Sequence, residues 1–133
     1  MYKTLFKTAN KYGAIRQTYD GYSYDSKFEA HCAHELDLLV KAKQIKGWDR
    51  QFKVEMIAYN EHGEPVMRKN HKIDFRIHEL DGTFRLIEAK GVETQDYKDR
   101  REWLEKLWLP VNPDYTYEVW KQKNYGYKAK KRV

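Results

Sequence analysis

The chain has a single cysteine, Cys32, among its 133 residues, which excludes an internal disulfide framework and a cysteine-built zinc cage. It has no run of about eighteen apolar residues, so no segment is suited to cross a bilayer as a helix. The opening Met1-Tyr2-Lys3-Thr4-Leu5-Phe6-Lys7 lacks the apolar stretch of a secretory signal. Together these absences lead us to expect a soluble protein of a reducing compartment, the cytoplasm. Internal repeats are missing as well, and low complexity is confined to the C-terminal end.

Acidic residues are missing from one region only. The last thirteen positions carry Lys121, Lys123, Lys128, Lys130, Lys131 and Arg132 with no Asp or Glu among them. The whole chain has a net charge of +6, so the first 120 residues are balanced and the basic excess lies in the tail. Interleaved with Tyr125 and Tyr127, that tail suits contacts to phosphate, whose attraction is long-range and salt-dependent. It could equally be a solvated end that aids solubility.

The rest is ordinary globular composition, 41% hydrophobic and 35% charged, enough for one domain with a core. Residues 1–25, rich in Tyr, Lys and Gly, show no sustained periodicity and read as an extended arm. Ser26-Lys27-Phe28-Glu29 has the form of a capping box, followed by apolar Phe28, Cys32, Leu36, Leu39 and Val40 at helical spacing. A helix to about Lys43 is expected. Gln51 to Tyr59 alternates as a strand, and Lys72 to Leu80 as a second with Ile73, Phe75 and Ile77 on one face. Asp81-Gly82 is a hairpin signal, and Thr83 to Lys90 forms a third strand. A helix from Gln95 to about Leu109 ends at Pro110 and Pro113, and Tyr115 to Lys121 is a last strand. The order α-β-β-β-α-β implies an α/β fold, a mixed sheet flanked by helices, with the core in 26–121 and the basic tail in 122–133.

Chemistry concentrates on the third strand. Glu88 and Lys90, two residues apart in Leu86-Ile87-Glu88-Ala89-Lys90, share a face of an otherwise apolar strand. Asp74 interrupts Ile73 and Phe75 on its neighbour. Burying such charges costs several kcal/mol unless they are paired or meet a metal. Hard carboxylate oxygens suit Mg²⁺ or Mn²⁺ rather than zinc. Register decides whether they meet. A two-residue Asp81-Gly82 loop sets Asp74 opposite Ala89, whereas a bulged loop one residue longer sets it opposite Lys90 and gathers all three on one face. Splaying of the strands would serve instead.

Asp74 followed by Glu88-Ala89-Lys90 on a hairpin, behind a helix carrying Glu29, resembles the PD-(D/E)xK nuclease superfamily of restriction-endonuclease-like fold. The stretch Tyr19-Asp20-Gly21-Tyr22-Ser23-Tyr24-Asp25-Ser26-Lys27-Phe28-Glu29, with Gln51-Phe52 and Lys90-Gly91, is similar to a small phage-encoded branch. Ile73 stands where the motif's name has proline.

The resemblance implies a Mg²⁺-dependent DNA endonuclease, with Mn²⁺ a possible substitute. Asp74, Glu88 and the Ala89 carbonyl would hold the ion, Lys90 would orient or deprotonate the attacking water, and Glu29 would reach a second ion. By analogy the substrate is branched DNA such as a Holliday junction, in phage recombination or replication, which would call for a homodimer. The alternative is a non-catalytic nucleic-acid-binding accessory protein of the same fold.

Several residues carry plainer readings too. Glu29 completes the capping box; Asp74 and Lys90 could form a cross-strand salt bridge. His31 and His34 read as surface histidines, with no further zinc ligands at suitable spacing. Lys98 and Arg101, near the start of the second helix, could hold a phosphate at that helix's N-terminal end or pair with Asp99, Glu102 and Glu105.

Overall fold

The computed structural model describes residues 27–122 throughout and, ahead of them, the backbone of three strands, β1 (Lys7–Ala9), β2 (Ile15–Tyr19) and β3 (Tyr22–Tyr24). The stretch read as an extended arm thus holds a three-stranded antiparallel sheet in the order β1-β2-β3. Ser26 and the tail residues Lys123, Lys128, Lys130, Lys131 and Arg132 lie outside the described residues, and with them the capping box and the tail's phosphate contacts.

From residue 27 the order is α1 (Lys27–Lys41), β4 (Gly47–Tyr59), β5 (Pro65–His78), β6 (Phe84–Ala89), α2 (Gln95–Trp103) and β7 (Tyr115–Trp120). This is the expected α-β-β-β-α-β series, and the fold is α/β. The four strands form one mixed sheet, β4-β5-β6-β7, antiparallel except for the last pair. A parallel pair needs a long crossover, which α2 and the turns after it supply.

Each face of the sheet is covered. On one, Ala30, Cys32, Ala33 and Leu36 of α1 pack on Phe75, Ile77, Ile87 and Trp120. On the other, Leu104 packs with Val54, Met56, Ile73 and Leu86, and Trp103 and Trp108 close the edge. Burial of such side chains contributes about 1.5–3 kcal/mol each and is what fixes the two layers.

Three boundaries differ from expectation. Strand β5 begins at Pro65 rather than Lys72, because Asn60 ties the preceding turn by accepting from the amides of His62 and Glu64 at 2.9 and 3.0 Å. Its first half is exposed on both faces, so no alternation marks it. Strand β4 begins at Gly47 rather than Gln51. The second helix stops being α-helical at Trp103 and continues as a π turn over Leu104–Trp108, then a 3₁₀ turn over Leu109–Val111. Pro110 has no amide to donate back into the helix, and the wider turn lets both Leu104 and Trp108 reach the sheet. The side chain of Asn112 satisfies the Trp108 carbonyl at 2.8 Å.

Neither expected hairpin register forms. The Glu79 amide donates to the Thr83 carbonyl at 2.9 Å, leaving a loop of Leu80, Asp81 and Gly82. Asp81 fixes it by accepting from the amide and hydroxyl of Thr83 at 2.9 and 2.6 Å, and Gly82 takes φ +88°, which glycine adopts without strain. The pairs His78↔Phe84 through Phe75↔Ile87 follow, and continuing that register sets Asp74 opposite Glu88.

Candidate active site at a fork in the sheet

Pairing between β5 and β6 ends at Phe75↔Ile87. Beyond that point β5 stays with β4 and β6 stays with β7, whose pairs run on to Ala89↔Trp120. The sheet therefore forks, and the strands splay apart where the carboxylates lie.

A second irregularity sits at the same level. Ile73 packs in the core beneath α2, but Phe75, two residues on, packs beneath α1, although a strand's period of two would keep them on one face. The partner strand switches at the same level, between Arg50 and Phe52, where Gln51 holds φ 57°. Gln51 and Asp74 are skipped in a register otherwise continuous from Gly47↔His78 to Ala58↔Met67. A left-handed non-glycine residue inside a strand costs of order 1–3 kcal/mol, and here it turns both strands over at Asp74.

Asp74 takes over the place of a ladder bond: its Oδ2 accepts the Ala89 amide at 2.8 Å across the fork. Glu88, only 1% exposed, lies beside it. Burial first, and then the charge of Glu88, push the Asp74 carboxyl up to about 8, against the Ala89 amide and the Lys90 ammonium, which pull it down. Burial also raises Glu88, opposed by Lys90 and by its bonds to Asp74. The two acids thus face each other with too little positive charge nearby to ionise both at ordinary pH.

His71 closes the site from below. Its Nε2 lies 2.5 Å from Glu88 Oε1, within hydrogen-bond distance. Burial, then the charges of Lys90 and Arg100, push this imidazole down to about 4. His71 meets Tyr97 and Tyr117 edge-on, and the two tyrosine hydroxyls are bonded at 2.6 Å. Lys90 stands over the Tyr97 ring, its Nζ 4.4 Å from the centroid. No ion pair joins Lys90 to Asp74 or Glu88 among the described residues, so the cross-strand salt bridge does not form.

The space left by the fork is a cleft of about 500 Å³. Lys53, Asn70, His71 and Lys72 line one wall, Glu88, Lys90, Thr94, Asp96, Tyr97 and Arg100 the other. Thr94 caps α2 by accepting the Tyr97 amide at 3.2 Å. Arg100 bridges the walls, donating to the Asn70 carbonyl on the free edge of β5 and to Asp96 on its own helix at 3.0 Å.

The remaining sequence candidates lie elsewhere. Arg101 turns away to Glu105 at 3.1 Å and Glu93 at 3.6 Å, and Lys121 also meets Glu93, at 3.2 Å. Lys98 and Arg101 line a different, mixed-charge cleft with Glu102, Glu105 and Lys106. Glu29 is buried in the first turn of α1. It reaches the site's surroundings electrostatically: burial, then the charges of Glu35, Glu29 and Asp74, push the Cys32 thiol up.

Among the described residues no three His, Cys, Asp or Glu side chains are grouped as metal ligands. What meets at the fork is a pair of carboxylates, Asp74 and Glu88. That pair fits a hard divalent ion such as Mg²⁺, which is bound through one or two protein carboxylates and keeps several waters. An ion there would also offset the burial that raises both acids and the charge of Glu88 that raises Asp74.

Sequence reasoning missed His71, Lys53, Lys72 and Arg100. His71 had a signal, since it stands two residues before Ile73 and continues the buried face of β5. The others had none, because only the fork brings them together.

A family model described as "Protein of unknown function (DUF1064)" matches residues 9–126. No curated protein and no solved structure matches the chain.

Proposed function

The chain belongs to the DUF1064 family, and we propose that it is a metal-dependent DNA endonuclease of the PD-(D/E)xK type. The observation that carries this is the fork, where Asp74 meets the Ala89 amide and Glu88 beside a basic cleft that Glu88 and Lys90 line. Asp74 and Glu88 would hold Mg²⁺, with Mn²⁺ able to replace it, and the Ala89 carbonyl would be a further ligand. A bound ion would supply positive charge for a phosphoryl oxygen and would lower the cost of making a hydroxide nucleophile.

The protein's own groups do the rest. Ala89's amide and the packing of β6 fix the two carboxylates. His71 holds Glu88 by one oxygen and leaves the other toward Asp74. Lys90, steadied over Tyr97, places a cation where charge develops on the phosphate and stands ready to orient the attacking water. Tyr97, Tyr117 and His71 form a dry floor that strengthens these fields. Glu29 stands as a candidate to reach a second ion, and Lys98, Arg101, Lys121 and the tail as DNA contacts outside the cleft. For branched DNA, such as a Holliday junction in phage recombination or replication, two such sites are required, hence a homodimer.

A second reading, a non-catalytic nucleic-acid-binding protein, draws on the His71 bond that engages Glu88 and on the cations of the cleft, which can bind phosphate without a metal. Cleavage of labelled duplex, single-stranded, flap and four-way junction DNA decides between them, in Mg²⁺ against EDTA. Metal-dependent cutting that Glu88→Gln abolishes, with Mg²⁺-free binding retained, is the expected result. Tight binding with no cutting in Mg²⁺ or Mn²⁺ would favour the accessory protein.

A further inference from the structure

One feature of the cleft works against stability. Lys53 of β4 and Lys72 of β5 are direct cross-strand partners, and both are exposed. Like charges directly opposite on a sheet destabilise it. Neither lysine meets a carboxylate among the described residues, and the nearby Glu55 is engaged by Arg68 at 3.2 Å. Around α2 and the π turn, by contrast, Arg101, Lys106 and Lys121 each have an acid partner.

The unmatched pair lines the same cleft as Glu88 and Lys90. Across from it, Arg100 is tied to the free edge of β5 through the Asn70 carbonyl, which keeps a fixed guanidinium facing the two ammonium groups. The cleft therefore has four cations against two carboxylates, Glu88 and Asp96, and Asp96 is already spent on Arg100. Lys72 lies two residues from Asp74 along β5, about 7 Å at strand rise, a step comparable with the separation of neighbouring phosphates on one strand.

We infer that Lys53 and Lys72, with Arg100 opposite, form a subsite for the backbone phosphate next to the one that reacts, so that the cleft grips a nucleic-acid strand at two successive phosphates. The inference rests on the proposed nuclease reading for the identity of the reacting phosphate, but the subsite itself needs no metal and no cutting.

The test measures binding of a labelled duplex oligonucleotide in EDTA across a salt series, for wild type, a Lys53→Gln/Lys72→Gln double variant, and Lys41→Gln as a control at the exposed end of α1. Each phosphate no longer neutralised removes roughly 0.9 from the slope of log affinity against log salt, so the double variant, which loses one phosphate subsite, should lose about 0.9 while its melting temperature stays level or rises. The control should keep its slope. An unchanged slope in the double variant, or an equal loss in the control, overturns the subsite. Displacement of the duplex by inorganic pyrophosphate, beyond what its ionic strength explains, would assign the lysines to a free anion and overturn it too. Cleavage in Mg²⁺ is scored separately. A fallen slope with a wild type that never cuts keeps the subsite and removes the nuclease, and cutting with an unchanged slope does the reverse.

Discussion

The two ends of the β5–β6 pair both bury charge, and they treat it in opposite ways. At the hairpin end every acid has its cation. Glu79 and Arg85, both nearly inaccessible, pair at 2.8 Å, and Arg85 reaches Glu118 at 3.5 Å. Asp49 accepts from Arg76 and His78 at 2.7 and 2.6 Å, and Arg76 continues to the Tyr115 hydroxyl while stacking over Phe52. Partial burial would raise Asp49, but those bonds outweigh it and hold the carboxyl below its usual range. At the fork, Asp74 and Glu88 face each other instead, and both are raised. One end is arranged as a structure needs; the other keeps an unrelieved repulsion, the kind of local cost that persists at functional sites.

The comparison breaks most forcefully at its stable end. Arg85→Ala would leave Glu79 buried without its guanidinium, at a cost of about 3–5 kcal/mol, a large share of a small domain's stability. Urea unfolding should show a collapsed midpoint. A loss under 1 kcal/mol would mean that the Glu79–Arg85 pair contributes little, and the contrast between the two ends would fail.

The next effect has the opposite sign. Asp74 titrates near 8 when folded against 3.8 when free, so the folded state holds a proton that the unfolded state has released. Stability then falls as pH rises between those values, and below the lower one the penalty vanishes. Asp74→Asn keeps an acceptor for the Ala89 amide and removes the charge. It should stabilise the metal-free protein at pH 8 to 9 by on the order of 1–3 kcal/mol, several degrees in melting temperature, with the gain shrinking towards pH 4. Mg²⁺ should raise the wild-type melting temperature at pH 8 and leave the variant's nearly unchanged. An Asn variant less stable than wild type at pH 8 would show that the carboxylate is satisfied as it stands.

What the sequence made legible follows the same division. The α/β series and the core positions Leu36, Phe75 and Ile77 were readable because half-buried elements print their period on the chain; Ile73 was readable as core, but the same period put it on the face of Phe75 and Ile77, and it packs on the other. Asp74, Glu88 and Lys90 were readable as charges in apolar strands. Three things were not. The start of β5 was hidden because strands exposed on both faces carry no alternation. The hairpin register turned on the side chain of Asp81, which moved the loop back by one residue and set Asp74 against Glu88. The turning-over of β4 and β5 sits at Gln51, whose left-handed backbone no composition signals, and the fork beside it opens the cleft that Arg100 shares with the Lys53–Lys72 pair. Arg101 was the natural choice from the sequence, but one residue on a helix is a turn of about 100°, and it is Arg100 that faces the site.

The smallest expected change in stability sharpens the comparison from the side of function. Lys90 is a cation beside two raised acids, yet it has settled over the Tyr97 ring instead of pairing with either. Lys90→Ala therefore gives up a cation–π contact of about 0.5–1 kcal/mol and no buried ion pair. A far larger loss would follow if Lys90 served the fork as Arg85 serves the other end. If its ammonium acts on the phosphate and the attacking water, the same substitution should slow cleavage by about 100-fold or more with Mg²⁺-free DNA binding reduced only modestly. Melting curves and single-turnover cleavage on one preparation separate the cases. A small stability loss with a large rate loss places Lys90 in the chemistry. A protein that unfolds would instead make Lys90 the counter-ion of Asp74 and Glu88.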